Sequence, residues 1–182
     1  MKLNAKELRY TSLKLRGLKK KIKRQEIYIV LDNVLDTYNI GSIFRLADAV
    51  AAKKVYLCGE TETPPNHRIK KASINTTEWV DWQYFADAKT AIKNLKFKIK
   101  NLMVVAIEQS TKSVQYDKFD YKLPICLIVG NETTGVSKEV LKMTDVIVEI
   151  PMFGVNKSLN VMVSLGIVLY EVIESGMLIP SK

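Results

Sequence analysis

Short apolar runs alternate with segments of helical spacing along most of the chain. Runs such as EIYIVLD and LPICLIVG have the length of strands and end in turn residues, which is typical of buried strands. The predicted strands cover residues 26–32, 53–59, 79–85, 101–107, 123–130 and 145–151, and the predicted helices residues 40–52, 86–98, 136–143 and 158–175. This alternation predicts an α/β fold with a mainly parallel sheet and helices on both faces.

The two ends of the chain differ from the middle. We predict a basic, helical N-terminal extension over residues 1–25 and a single domain over residues 26–182. Residues 61–79 are rich in turn residues and predict a long loop with about one helical turn. The apolar stretch at residues 161–173 is interrupted by Ser164 and Gly166 and is too short to span a bilayer, so we expect a soluble, cytoplasmic protein with no membrane contact.

Charge points to a polyanionic partner. The 182 residues carry 28 Lys and Arg against 19 Asp and Glu, a net charge of +9, and the excess is concentrated near the N-terminus. A lysine-rich face that is merely solvated is the alternative.

Cys58 and Cys126 lie in apolar runs and are expected to be buried and reduced, and His67 is the single histidine. We therefore expect no metal site and no histidine-based triad.

Three polar loops directly follow predicted strands, where open α/β sheets bind their ligands. They read DTYNIGSIFR, GNETTG and PMFGVNKSLN. In the first, Asn39 is either the N-cap of a helix that starts near Ile40 or part of a site. Arg45 either pairs with Asp48, three residues later, or joins Asn39 and Ser42 in contacting a phosphate or ribose. The sequence leaves both pairs of alternatives open.

The second loop has the glycine spacing of a phosphate-binding loop without its chemistry. Gly130 and Gly135 match that spacing, but Val136 stands where such a loop needs a lysine, so this class of nucleotide site is excluded. What remains is a glycine-flanked turn that carries Glu132 directly after a buried strand. Its carboxylate is either solvated or bonded to nearby backbone N–H groups.

The third loop leads into the most apolar helix of the chain. Ser158 is predicted to cap a helix that begins at Leu159, and the N-terminus of that helix favours an anion or a carboxylate. Asn160 lies in the first turn and needs a hydrogen-bonding partner if it is buried. Because the helix is apolar on most sides, we predict that it packs in a core or a dimer interface.

Together and in this order, the three loops resemble the motifs of the SpoU (TrmH-like) RNA ribose 2′-O-methyltransferases of the SPOUT superfamily. The first motif has the form N-x-G-x-x-x-R and stands here as NIGSIFRLADA. The second, G-x-E-x-x-G, is GNETTG, and the third, I-P-M-x-G-x-x-x-S-L-N-V, is IPMFGVNKSLNV. The resemblance extends over residues 27–173.

This resemblance implies a fold and a cofactor that the periodicity does not predict. The fold would be the α/β-knot, in which the C-terminal segment threads through a loop to form a deep trefoil knot. The protein would be a homodimer that packs the final helix against its mate. S-adenosylmethionine would bind within the knot, mainly through backbone groups. The implied cofactor-binding residues are Ile107, Gly130, Ile150, Met152, Ser158 and Leu159.

The same resemblance implies methyl transfer to a ribose 2′-hydroxyl of tRNA or rRNA, with tRNA slightly favoured. Arg45 is the implied catalytic residue. Because arginine stays charged at ordinary pH, we expect it to hold the phosphate and stabilise the developing alkoxide rather than act as a base. The residues implied to order the site and position the ribose are Asn39, Glu132, Ser158 and Asn160.

RNA contacts are expected from the basic extension and from the long loop. The residues concerned are Arg16, Lys19, Lys20, Lys21, Arg45, Arg68, Lys70 and Lys71. One alternative function is a non-catalytic RNA-binding assembly factor that retains the knotted fold, although the complete set of motif residues argues against it. Another is a small-molecule-binding α/β protein, which would show no salt-dependent affinity for RNA.

Overall fold

The structure is a computed structural model that describes residues 22–175. Its strands are β1 (Gln25–Asp32), β2 (Ala52–Cys58), β3 (Trp82–Phe85), β4 (Met103–Ile107), β5 (Val114–Gln115), β6 (Ile125–Gly130) and β7 (Val146–Glu149). Within the described range they form one sheet in the order β3-β2-β1-β6-β4-β7-β5, and neighbouring strands run parallel. The carboxyl ends of all seven strands therefore lie at the same edge of the sheet.

Helices connect the strands. They are α1 (Thr37–Ala49), α2 (His67–Ser73), α3 (Ala88–Lys98), α4 (Lys138–Leu141) and α5 (Val161–Ser175), with short 3₁₀ turns at Thr76–Glu78 and Tyr116–Lys118. No helix among residues 22–175 is both long and apolar enough to cross a membrane.

The central strand β1 contributes to two cores. Ile27, Ile29 and Leu31 are buried with α1 and α5 on one face of the sheet. Tyr28 and Val30 are buried with α3 and α4 on the other. Because helices cover this strand on both sides, its sequence is continuously apolar instead of alternating. The predicted α/β class, with helices on both faces of a parallel sheet, is confirmed.

Helix α1 begins at Thr37, earlier than predicted, because Asp36 and not Asn39 caps it. The Asp36 carboxylate accepts a hydrogen bond from the backbone N–H of Tyr38 at 2.7 Å. The alternative in which Asn39 caps the helix is therefore wrong. Asn39 lies inside the first turn instead, where its carboxamide bonds to other segments.

Helix α2 crosses α1 at Gly41. A Cβ atom at this position would lie 2.6 Å from the Cβ of Ala72 and 2.8 Å from the backbone oxygen of Ile69. Such distances are too short for non-bonded atoms, so the two helices pack at a separation that requires glycine. The long loop is thus more ordered than predicted, and its helix is docked on the helix that carries Arg45.

Three other boundaries differ from the predictions. Strand β3 begins at Trp82 because Trp79 and Val80 enter the core from the irregular segment before it. Strand β5 was missed, since its two residues are exposed and lack an apolar run. Helix α5 begins at Val161, so the residues before it belong to an exposed loop.

Candidate active site

A cavity of about 380 Å³ lies at the carboxyl ends of β4, β6 and β7. This is the edge at which parallel α/β sheets bind their ligands. All six residues implied as cofactor contacts line it, namely Ile107, Gly130, Ile150, Met152, Ser158 and Leu159. The structure thus brings together residues from three separate strand ends that are up to 52 positions apart in the sequence.

The loop after β6 is a closed turn. Backbone hydrogen bonds join Asn131 and Gly135 in both directions, at 3.1 and 2.9 Å. A Cβ atom on Gly130 would overlap the backbone of Gly135 and Val136. Gly135 itself has a φ of +71°, in the left-handed region that favours glycine. Both glycines of GNETTG are therefore required by the tight return of the backbone.

Glu132 joins this turn to the segment before α1. Its Oε2 accepts a hydrogen bond from the backbone N–H of Leu35 at 3.1 Å. Its Oε1 accepts from the backbone N–H of Asp36 at 3.1 Å and from the Asn39 side chain at 2.9 Å. Of the two alternatives, bonding to backbone N–H groups is confirmed, although the donors are almost a hundred residues away.

These hydrogen bonds set the charge state of Glu132. Partial burial raises the pKa of its carboxyl group. The hydrogen bonds from Asn39 and from the backbone N–H groups of Leu35 and Asp36 outweigh that effect, so the pKa lies below its ordinary value. Glu132 is therefore ionised at neutral pH and acts as a fixed acceptor.

Asn160 extends this network to the third loop. Its side-chain N–H group donates to Oδ1 of Asn39 at 3.0 Å, and its own Oδ1 accepts from the backbone N–H of Met162 at 2.9 Å. Asn160 thus bonds to the first turn of α5, and the predicted capping role of Ser158 is wrong. Asn39 is only 2% exposed, and both ends of its carboxamide are satisfied.

Arg45 lies on α1, six residues after Asn39, and is exposed. Within residues 22–175 it has no hydrogen bond or ion pair, and it lies outside the lining of the cavity. The alternative of an ion pair with Asp48 is not observed, because Asp48 accepts a hydrogen bond from Trp79 Nε1 at 2.8 Å. Ser42 is buried one turn before Arg45. The guanidinium donors are therefore accessible to an anionic ligand.

Helix α2 presents basic side chains to solvent. Arg68, Lys70 and Lys71 are all exposed, and Asn66 caps the helix by accepting from the backbone N–H of Arg68 at 2.8 Å. Because α2 is docked on α1, these cations lie on the same half of the sheet as Arg45. The other predicted RNA contacts, Arg16, Lys19, Lys20 and Lys21, lie outside the described residues.

The sequence did not single out Glu108 and Gln109, which directly follow β4 and line the cavity. The Glu108 carboxylate accepts hydrogen bonds from the backbone N–H groups of Gln109 and Val136, both at 2.9 Å. The Gln109 side chain donates to the carbonyl oxygen of Lys157. The two residues thus connect β4 to both neighbouring loops. Their place at the carboxyl end of a predicted strand was a signal that could have found them.

Comparison with known proteins decides the family. Residues 26–170 match the model of the SpoU rRNA Methylase family. The chain belongs to this family. The resemblance drawn from the three loop motifs is therefore confirmed.

Three known proteins illustrate the similarity. The tRNA (guanosine(18)-2′-O)-methyltransferase of Aquifex aeolicus is 38% identical over 154 residues, covering 82% of this chain and 70% of that protein. The solved structure of the A. aeolicus TrmH/SpoU tRNA modifying enzyme has a TM-score of 0.76 at 32% identity, with coverages of 95% and 82%. The AdoMet-bound rRNA methyltransferase of Sinorhizobium meliloti has a TM-score of 0.75 at 31% identity, with coverages of 86% and 59%. This chain therefore spans 59–82% of the length of these proteins.

Proposed function

We propose that this chain transfers the methyl group of S-adenosylmethionine to a ribose 2′-hydroxyl of RNA, with tRNA favoured over rRNA. The observation that carries this proposal is the hydrogen-bonded connection of Glu132, Asn39 and Asn160. One residue from each of the three family motifs takes part in it, and it borders the cavity at the carboxyl edge of the sheet. The names of the most similar relatives favour tRNA as the substrate.

The cavity fits the proposed cofactor in size and charge. A volume of about 380 Å³ lies within the range of pockets that hold small organic ligands. Apolar side chains of Ile107, Ile150 and Leu159 line it, and such surfaces suit an adenine ring. The carboxylates of Glu108, Glu132 and Glu149 also reach it, and none of its described lining residues is basic. This charge suits a cofactor that carries a sulfonium and an ammonium group.

S-adenosylmethionine supplies an electrophilic methyl group, and the residues of the chain supply position and charge. Asn39 and Asn160 are fixed by hydrogen bonds at the base of the site, where the ribose is to be held. Arg45, with its free donors, holds the neighbouring phosphate and stabilises the negative charge that develops on the 2′-oxygen as its proton passes to solvent water. Arginine remains protonated throughout, so it acts by electrostatics and orientation and not as a base.

The experiment that tests the activity is transfer of labelled methyl groups to RNA from cells that lack this protein. Total tRNA and total rRNA are treated separately, and digestion to nucleosides locates the label. We expect label in a 2′-O-methylnucleoside of tRNA. Absence of label from both RNA classes, with cofactor binding still measurable, would contradict the proposal and favour the non-catalytic assembly factor.

The role of Arg45 is tested by two substitutions. Arg45→Ala should abolish methyl transfer without changing the Kd of S-adenosylmethionine, because Arg45 lies outside the cavity lining. Arg45→Lys keeps the charge but loses the planar pair of donors, and should retain a small part of the rate. A parallel loss of cofactor affinity in Arg45→Ala would show that the residue acts on the cofactor and not on the RNA.

We propose that two chains form a homodimer through α5. This helix buries Leu165, Val168, Leu169 and Val172 within its own chain. Its other side remains open, with Val163 39% and Tyr170 50% exposed. Apolar side chains near the starts of α1 and α5 are also exposed, namely Leu35, Tyr38 and Leu159. Several exposed apolar side chains on two helices that pack together are typical of a protein interface.

The dimer is tested by light scattering coupled to size exclusion. Tyr170→Glu should convert a dimer to a monomer, because the charge would be buried at the proposed interface. Val114→Glu, on the exposed strand β5, introduces the same charge elsewhere and should leave the mass unchanged. A wild-type mass equal to that of one chain would refute the dimer.

The trefoil knot and the domain division are proposed on the basis of family membership. Strand β7 lies between β4 and β5, and the residues that follow it pass the carboxyl ends of β4 and β6 before α5 begins. This path supports a C-terminal segment that threads through a loop. The proposed domain covers residues 26–182, preceded by the basic extension of residues 1–25.

A further inference from the structure

The strongest concentration of positive charge among the described residues lies away from the cavity, on α3 and the residues that follow it. Residues 88–101 contain five lysines and no carboxylate. The rest of residues 22–175 contains 18 carboxylates and 14 basic side chains. The charge of this segment is therefore a local feature and does not reflect an even excess of lysine.

Most of these lysines have their charge directed to solvent. Lys96 is the exception, because its Nζ lies 3.2 Å from Asp145 and donates to the carbonyl oxygen of Met143 at 2.9 Å. The other four are exposed and make no hydrogen bond or ion pair within residues 22–175: Lys89, Lys93, Lys98 and Lys100. Lys89 and Lys93 also interact electrostatically with the carboxylate of Asp87, which caps the helix. Exposed cations that form no direct ion pair are available to neutralise phosphates.

An exposed aromatic ring stands in line with two of these lysines. Lys89, Lys93 and Phe97 follow one another at four-residue spacing, so they lie in a row on one side of the helix. The buried side is formed by Ala88, Ala91, Ile92 and Leu95. Phe97 is 89% exposed. A row of cations that ends in a free aromatic ring is the combination with which proteins bind unpaired nucleotides.

The position of α3 relates this row to the active site. The helices α1, α2 and α3 follow the carboxyl ends of the adjacent strands β1, β2 and β3. Arg45 on α1 and Arg68 on α2 lie on one face of the sheet, whereas α3 covers the opposite face. An RNA bound at Arg45 therefore reaches α3 by passing over the carboxyl edge of the sheet, at which all three helices begin. Lys89 lies in the first turn of α3, near the edge where the cavity opens, and Phe97 lies about 12 Å further along the helix.

We propose that the outer face of α3, formed by Lys89, Lys93, Phe97 and Lys98, is a second RNA-binding surface that holds an unpaired stretch of the substrate. This inference rests on the proposed function, because it extends the path of an RNA whose reactive ribose lies beside Arg45. The lysines bind phosphates, and Phe97 stacks on a base. The chemistry specifies single-stranded RNA and gives no preference for a base sequence.

The test compares two triple variants with the same change in net charge. Lys89→Ala, Lys93→Ala and Lys98→Ala remove the surface, whereas Lys112→Ala, Lys118→Ala and Lys122→Ala remove three exposed lysines on the β5 side of the sheet. The Kd for tRNA is measured by fluorescence anisotropy over a range of salt concentrations. We expect the first variant to raise the Kd about tenfold and to lower the slope of log Kd against log salt by about 2, with a much smaller effect in the second.

Substitutions of Phe97 test the contribution of base stacking separately from that of charge. Phe97→Ala should weaken RNA binding about tenfold without changing the salt slope, and Phe97→Tyr should retain the wild-type affinity. All these side chains are exposed, so the Tm should be unchanged. In the methylation assay, the KM for RNA should rise while kcat and the Kd of S-adenosylmethionine stay constant.

Equal losses in the two triple variants would overturn this inference and indicate a general effect of net charge. An unchanged Kd in Phe97→Ala would also overturn this inference, and so would the absence of tRNA binding by the wild-type protein. Failure of the proposed function has a different signature, because RNA affinity would then depend on α3 while no methyl group is transferred to either RNA class.

Discussion

Two of the loops that border the cavity are held in different ways. Residues 130–135 form a turn closed by backbone hydrogen bonds, and the Asn131 side chain accepts from the N–H groups of Thr133 and Thr134 at 2.9 and 3.0 Å. Residues 151–160 are exposed from Phe153 onward. Their described hydrogen bonds to other segments run from Gln109 to the carbonyl of Lys157 and from Asn160 to Asn39.

Residues 130–135 are therefore held in place by the backbone before any ligand binds, whereas residues 151–160 are held by a few side-chain hydrogen bonds. The first loop is built into the fold, so a change there should affect stability and cofactor binding together. The second loop has few buried contacts and should adjust locally. A change there should alter binding while leaving the unfolding of the domain almost unaffected.

The largest effect is expected from Gly130→Ala, with Gly154→Ala for comparison. Gly130→Ala places a Cβ against the backbone of Gly135 and Val136, which cannot move without opening the turn. We expect loss of measurable cofactor binding in calorimetry and a free energy of unfolding lowered by about 1–3 kcal/mol. Gly154→Ala, in the second loop, meets no atom within 4 Å and is the matched control. Equal effects of the two substitutions would remove the distinction between the loops.

The next largest effect is expected at Glu132. Glu132→Gln keeps the shape, but its amide nitrogen would face one of the N–H donors of Leu35, Asp36 or Asn39. We expect a loss of about 1–3 kcal/mol in the free energy of unfolding and a strong fall in kcat. Glu139→Gln, at an exposed position of helix α4, changes the same charge away from this network and should have little effect. Wild-type stability in Glu132→Gln would show that the network does not hold the turn.

The pKa of Glu132 predicts how this effect depends on pH. Its pKa is lower in the folded protein than in the unfolded chain, so its stabilising contribution is fully present above the unfolded value. The contribution is lost as the pH falls through the folded value. The difference in unfolding free energy between wild type and Glu132→Gln should therefore be constant near neutral pH and shrink below about pH 4. Urea titrations at several pH values measure it, and a difference that grows with acid would contradict the assignment.

The smallest effect is expected at the contact between Gln109 and Lys157. Gln109→Ala removes a hydrogen bond of an exposed side chain, so the Tm should not change. The Kd of S-adenosylmethionine should rise about threefold to tenfold, since Ser158 and Leu159 would be less well placed. Trypsin supplies an independent measurement, because cleavage after the exposed Lys157 should become faster. Gln115→Ala, on strand β5, is the control, and equal cleavage rates in both variants would contradict the role of Gln109.

Much of the fold was predictable, because strands that helices cover on both faces leave continuous apolar runs. Strands β1 and β6 were located within two residues for this reason. Strand β5 has no such signal, since its side chains are exposed. The start of α1 was misplaced because Asp36 and Asn39 are equally good caps in a sequence, and only tertiary contacts assign Asn39 to Glu132.

The candidate site was predictable as a set of residues but not as a set of contacts. The family resemblance implied six cofactor residues, five of them in the motifs, and all six share one cavity. The sequence does not specify that Asn160 bonds to Asn39, because those residues are 121 positions apart and meet only once the sheet is assembled. Their roles in catalysis remain predictions.

The two buried cysteines allow local opening of the structure to be measured by the rate of thiol modification. Cys58 ends β2 and Cys126 lies in β6, so the pair stands on either side of the central strand β1. Burial raises the pKa of Cys58 to about 12 and also raises the pKa of Cys126, and both thiols are free. Both thiols face the layer formed by α3 and α4. Because only an exposed thiolate reacts readily, alkylation must wait until these helices move away from the sheet. The rate at which a thiol reagent modifies each cysteine would therefore record how often this layer opens, with no need for a substrate.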